Sequence, residues 1–115
     1  SGSSGSSGSS GTSGTSVSVG GTTNYVVKFT SSTTIGNTVP PIFDNGTSIG
    51  IGTTTPAATG ILDLVSTTQG FLVPRMTDAQ RTAIASPATG LLVYVTDTGV
   101  EGLYINKSTG WFQII

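Results

Sequence analysis

Residues 90–115 read GLLVYVTDTGVEGLYINKSTGWFQII. Three β-rich runs, LLVYVT, LYIN and WFQII, are separated by Asp97-Thr98-Gly99 and Lys107-Ser108-Thr109-Gly110, both clusters of turn-forming residues. That pattern predicts a three-stranded meander. In its first strand Leu91, Val93 and Val95 share one face, and Leu92 and Tyr94 share the other. A strand that is apolar on both faces must be covered on both faces. A chain of this size and glycine content has little material for the task, so neighbouring copies are the expected cover.

Working back from the meander, Thr77 and Gln80 have the spacing of a capping box, with Asp78 in the first turn and Ser86-Pro87 as a stop. One short helix is expected near 78–85. ILDLVSTTQGFLVP (61–74) predicts a short strand, a break at Gly70 and an extended piece ended by Pro74. IFDNGTSIGIG (42–52) reads as a hairpin, because Asp44-Asn45-Gly46 supplies the positive-φ turn. Gly50 and Gly52, alternating with Ile49 and Ile51, which are expected to be buried, suggest close backbone approach. SSTTIGNTVPP (31–41) is expected to be a connection or an edge, since Pro40 and Pro41 cannot sit in a central strand. TNYVVKFT (23–30) alternates as a strand, with Tyr25, Val27 and Phe29 on one face.

The first sixteen residues, SGSSGSSGSSGTSGTS, contain only Gly, Ser and Thr, with Gly every third position from Gly2 to Gly14. The register is collagen-like, but no proline accompanies it. With no apolar side chain to bury, nothing in the segment itself offsets the entropy of ordering it. It is expected to lie along other copies through main-chain contacts, as an added strand rather than a triple helix. Ser3, Ser6, Ser9, Thr12 and Thr15 are candidate acceptors of O-linked sugar. The expected organisation is therefore a low-complexity extension over 1–16, a β-forming arm and connection over 17–46, and a compact β-rich module over 47–115. The start at Ser1, without Met, reads as a processed product or a segment of something longer.

Composition narrows the function. Charged residues make up 8% of the 115-residue chain, against about 25% in ordinary soluble domains. Its four basic groups, Lys28, Arg75, Arg81 and Lys107, are scattered, so no footprint for nucleic acid or anionic lipid is present. No run of residues is long and apolar enough to predict a membrane span. Gly, Ser and Thr supply 54 of the residues, and so neutral a surface favours self-association. There is no cysteine and no histidine, which removes disulfides, thiolate metal sites and the commonest general base. Each of the five carboxylates has a structural reading: Asp44 and Asp97 in turns, Asp78 at a helix start, Asp63 in a strand, and Glu101 beside a turn. Neither Asp97 with Glu101 as a glycosidase pair or a Ca²⁺ site, nor the broken glycine motif at Gly50-Ile51-Gly52, carries chemistry. No catalytic residue, cofactor or metal is expected. The sequons at Asn45 and Asn106 carry little weight in a chain so rich in Ser and Thr.

From about Gly20 to Trp111 the chain resembles modular segments of long bacteriophage tail-fibre proteins and related secreted bacterial fibre proteins. The resemblance rests on TTNYVVKFTSSTTIGN, GIGTTTP, GFLVPRMT with its short helix, and LYINKSTGW, in that order. It implies a non-enzymatic shaft or linker module, mainly β, intertwined with other copies in an elongated oligomer, sometimes beside collagen-like glycine triplets. An extracellular or virion-surface location follows from the same resemblance. Val17, Val19, Tyr25, Val27, Phe29, Ile49 and Ile51 are the expected subunit contacts. Leu62, Leu64, Phe71, Leu91, Val93, Tyr94, Val95, Leu103, Tyr104, Trp111 and Phe112 are expected in the core or at oligomer contacts. The alternative is a receptor- or glycan-binding module that stacks a cell-surface sugar on Tyr25, Tyr94, Tyr104 or Trp111.

Overall fold

The computed structural model describes residues 20–115. The chain divides into two compact units, the first ending at Thr68 and the second spanning Gln69–Ile115. It is mainly β, with one short helix.

In the first unit, strands β1 (Val27–Phe29) and β2 (Ile35–Asn37) form an antiparallel pair. The partner of β1 therefore comes from the stretch expected to be a connection or an edge. Its Ser and Thr residues read as loop, yet they build the hairpin turn through their hydroxyls: Thr30 and Thr34 share a hydrogen bond of 2.7 Å, and Ser31 and Thr34 one of 2.8 Å. β-branched Thr is also a strand former, so the pairing resumes at once. Pro40 lies beyond β2, after a cis peptide bond from Val39.

Strands β3 (Ile42–Asp44) and β4 (Ile49–Ile51) form the expected hairpin. Its turn is closed by side chains, with Asp44 Oδ1 accepting from the Gly46 N–H and Asn45 Oδ1 accepting from the Thr47 and Ser48 N–H groups. Gly46 takes a φ of +88°. Strand β5 (Leu62–Leu64) adds to β4 in parallel. The close approach foreseen at the glycines is present. A Cβ on Gly50 would stand 2.8 Å from the Thr53 carbonyl oxygen. The flanking isoleucines are less covered than expected, with Ile49 half-buried and Ile51 exposed.

The second unit is a four-stranded sheet in the order β6 (Arg75–Met76), β7 (Leu92–Val95), β8 (Gly102–Lys107) and β9 (Gly110–Gln113). The meander β7–β8–β9 is antiparallel, and β6 joins β7 in parallel. Helix α1 (Asp78–Thr82) begins with the foreseen capping box: Thr77 Oγ1 accepts from the Gln80 N–H, and Gln80 Oε1 accepts from the Thr77 N–H. It is five residues long, ending at Thr82 with Ala83 as its C-cap, short of the expected 85. Ile84 N–H already turns to the Arg81 carbonyl, and Ser86 sits at a φ of +48°.

The core is small. Val95 is 0% exposed, Val93 2% and Tyr104 8%, with Met76, Ile84 and Trp111 packed against them. Leu91, Tyr94 and Leu103 are half-buried. Leu62, Leu64, Phe71 and Phe112 are exposed in the single chain. Their apolar sequence reads as core or as oligomer contact, and among the described residues no further layer lies over them. All three apolar side chains buried among the described residues belong to the second unit. Among the described residues of the first unit, the one buried side chain is that of Ser48.

Candidate functional site

Polar side chains in this protein are spent on structure. Each of the five carboxylates accepts a hydrogen bond from its own chain. Asp44 binds the Gly46 N–H, Asp63 binds the Ala57 N–H (2.8 Å), and Asp78 binds the Arg81 guanidinium (2.6 Å). Asp97 accepts from the Asp78 N–H (2.8 Å) and Glu101 from the Tyr94 hydroxyl (3.0 Å). Asp97 and Glu101 thus serve different partners. Among the described residues no group of three acidic, His or Cys side chains is placed to hold a metal. No described helix is long and apolar enough to cross a membrane.

Two of these contacts escape a sequence reading. Asp97 sits in its turn as expected, but its carboxylate reaches 19 residues back to the first N–H of α1, a favourable place for negative charge. Arg81 stands over the Tyr104 ring at 4.5 Å and the Trp111 ring at 5.3 Å while paired with Asp78. This cation–π arrangement fastens the helix to β8 and β9. Asn106, the second sequon, is buried and donates to the Pro87 and Ala88 carbonyls. Its amide is a structural pin for the loop before β7.

Tyr94 gives one measurable signature. Its hydroxyl donates to the Glu101 carboxylate, and this bond, then partial burial and the negative charge beside it, raises the phenol above its ordinary 10.0. The folded value is the higher one, so the stabilisation from this pair is complete below about pH 10 and is lost as pH rises through the raised value. Tyrosinate absorbance should show Tyr94 titrating late, and Glu101→Gln should bring it down toward the ordinary range. An unchanged late titration in the variant would remove Glu101 as the cause.

The surface is apolar where it is not small and neutral. Exposed large hydrophobic residues run through Val26, Val27 and Phe29 (72% exposed), then Ile51, Ile61, Leu62, Leu64 and Val65, then Phe71 and Leu72, and finally Phe112, Ile114 and Ile115. Fifteen such residues are exposed among the described residues, against three buried. An ordinary monomer scatters such residues singly; here they come in sequence-local clusters.

Of the expected subunit contacts, Val27 and Phe29 lie exposed on β1, Ile51 exposed on β4, and Ile49 half-buried beside it. Tyr25 packs edge-on against Phe43 at 5.6 Å. Val17 and Val19 lie outside the described residues, as do the glycine triplets and Ser3, Ser6, Ser9, Thr12 and Thr15. Beside β6 an open groove of about 620 Å³ is lined by Leu72, Pro74, Arg75, Met76 and Gln80, among others. Arg75 is its one charged group, so it offers no acid–base pair.

Residues 50–115, more than half of the chain, match the family model described as "Phage tail like trimerisation region". No curated protein and no solved structure matches the chain.

Proposed function

Since the chain belongs to the phage-tail-like trimerisation family, we propose that it is the protomer of an extracellular or virion-surface fibre, in which the trimeric module is the repeating structural piece. The module itself is non-enzymatic, β-rich and self-assembling as a trimer. What supports the fibre reading most is the imbalance of the first unit. Its strands carry exposed Val27, Phe29, Ile51, Leu62 and Leu64 and bury no apolar side chain of their own among the described residues. A sheet of this kind gains its stability from a second surface, and burial of apolar area is the dominant favourable term in such association.

In this reading residues 1–16 extend along neighbouring copies and carry any O-linked sugar, residues 17–46 form an arm toward those copies, and 47–115 hold the module together. Val17, Val19, Tyr25, Val27, Phe29, Ile49 and Ile51 lie at subunit contacts. A sugar-binding tip is the weaker reading. Tyr104 is buried, Arg81 stands over the Tyr104 and Trp111 rings, and Tyr25 is packed on Phe43. Tyr94 is the remaining ring of the four.

Native mass spectrometry of the full chain should give a mass of three protomers, and negative-stain microscopy at rising concentration should show the trimers joining end to end into filaments. A protein that stays monomeric at micromolar concentration would overturn the trimer. Discrete trimers at every concentration would overturn the fibre.

A further inference from the structure

The three-stranded sheet of the first unit has two edges, and they are treated differently. The outer edge of β3 is covered by its own chain: Val26 N–H donates to the Ile42 carbonyl and Asp44 N–H to the Asn24 carbonyl, both at 2.7 Å. Among the described residues the outer edge of β5 is open. Ile49 N–H donates to the Ile61 carbonyl (2.8 Å) and Val65 N–H to the Ile51 carbonyl (2.9 Å). In a parallel ladder these bonds fix the alternation: residues 61, 63 and 65 turn their main chain toward β4, and Leu62 and Leu64 turn theirs outward.

An open edge is a template for another strand, and proteins that keep theirs unpaired guard it with charge, proline or a bulge. The β5 edge lacks such a guard. Ile61, Leu62, Leu64 and Val65 are all exposed, Ile61 to 82%. The one charge in the run, Asp63, is turned to the Ala57 N–H. The edges of the second unit differ: β6 begins with Arg75, and Lys107, paired with Gly110 of β9, stands over the Phe112 ring.

Trimer symmetry restricts what can fill the edge. Two β5 strands paired with each other would be related by a two-fold axis, which gives a dimer; a closed ring of three needs each β5 to meet a different segment of the next copy. One segment within residues 50–115 has the required properties. Phe71, Leu72 and Val73 run without turn or bend, make no backbone hydrogen bond among the described residues, and expose Phe71 and Leu72.

We propose that the open edge of β5 takes Phe71–Val73 of a neighbouring copy as its next strand, and that three such exchanges close the trimer. This rests on the trimeric reading above. Main-chain bonds from Leu62 and Leu64 supply attachment, and the apolar side chains on either side of the strand supply burial, as in other cases of strand addition.

The absence of native cysteine makes the test clean. The double variant Leu64→Cys/Leu72→Cys, treated with a short bismaleimide, should run as a covalent trimer on a denaturing gel, whereas each single variant should not. A wild-type protein that is trimeric by native mass, with a double variant that cross-links only within its own chain or not at all, overturns strand exchange and leaves the trimer standing. A monomeric wild type overturns both. Hydrogen exchange on the wild-type trimer decides the matter if the double variant fails to assemble. The amides of Leu62, Leu64 and those alternate residues of 71–73 that face β5 should be protected, and their protection should be lost on dilution to monomer. Free exchange at these amides in the intact trimer overturns the proposal.

Discussion

Tyr104→Ala is expected to cost about 3–5 kcal/mol, the range for removing a large buried ring. Tyr104 is one of three buried apolar side chains among the described residues, so its core of Val93, Val95 and the partly buried Met76, Ile84 and Trp111 has little material to fill the space. Its hydroxyl donates to the Val100 carbonyl (2.7 Å), with the Gln113 amide oxygen at 3.2 Å, and its ring carries the Arg81 guanidinium. The truncation therefore removes core volume, leaves a carbonyl without its donor, and releases the helix. Tyr104→Phe keeps the ring and should cost about 1–3 kcal/mol, the penalty of the unpaired Val100 carbonyl. Urea denaturation at one fixed protomer concentration is the measurement, since assembly makes apparent stability depend on concentration. Since small domains have only about 5–15 kcal/mol in total, the alanine variant should sit near the edge of folding. A Tyr104→Ala midpoint equal to that of Tyr104→Phe would mean that the ring is not part of the core.

Gly52→Ala is the second large effect expected, and it acts through the backbone. Gly52 has a φ of +81°, and a Cβ there would run into the Val65 carbonyl oxygen. The left-handed conformation alone costs an L-residue about 1–2 kcal/mol. Overpacking adds about 1–3 kcal/mol. The overlap can be relieved only by moving β5 away from β4, which breaks the Val65 N–H bond to the Ile51 carbonyl. Gly46→Ala is the control, since Gly46 has a φ of +88° with open space around its Cβ position and should show the conformational cost alone. Thermal melting of the two variants at equal concentration should place Gly52→Ala well below Gly46→Ala. The first should also lose trimer by native mass while the second keeps it. Equal losses in both would mean that the approach of Val65 to Gly52 does not constrain the sheet.

The sequence by itself determined those features whose cause lies within a few residues. The alternation through Leu91, Val93 and Val95 placed β7, and Val93 and Val95 are buried on the face it named. Asp44, Asn45 and Gly46 specified the β3–β4 turn because the Asp44 and Asn45 side chains accept the hydrogen bonds that close it and Gly46 takes its positive φ. Thr77 and Gln80 fixed the start of α1 for the same reason. The lack of His and Cys and the structural readings of the carboxylates were equally legible.

The tertiary structure decided everything that depends on distant partners. Parallel pairing of β4 with β5 and of β6 with β7 leaves no local mark, since the choice is made by backbone groups that every residue carries. That β2 is an edge strand was one of two readings its sequence allowed, and its pairing with β1 stayed open because the hairpin turn is built from Thr and Ser, residues that serve strands and loops alike. Arg81 between Tyr104 and Trp111, and Asp97 on the first N–H of α1, join residues 19 to 30 positions apart. The same holds for the choice between core and oligomer contact for the apolar residues. Hydrophobicity says that Leu62, Leu64, Phe71 and Phe112 belong away from water, but only the fold shows that the rest of the described residues leave them exposed. Burial depends on the total supply of covering surface, and a chain of this length, nearly half Gly, Ser and Thr, leaves the remainder to other copies.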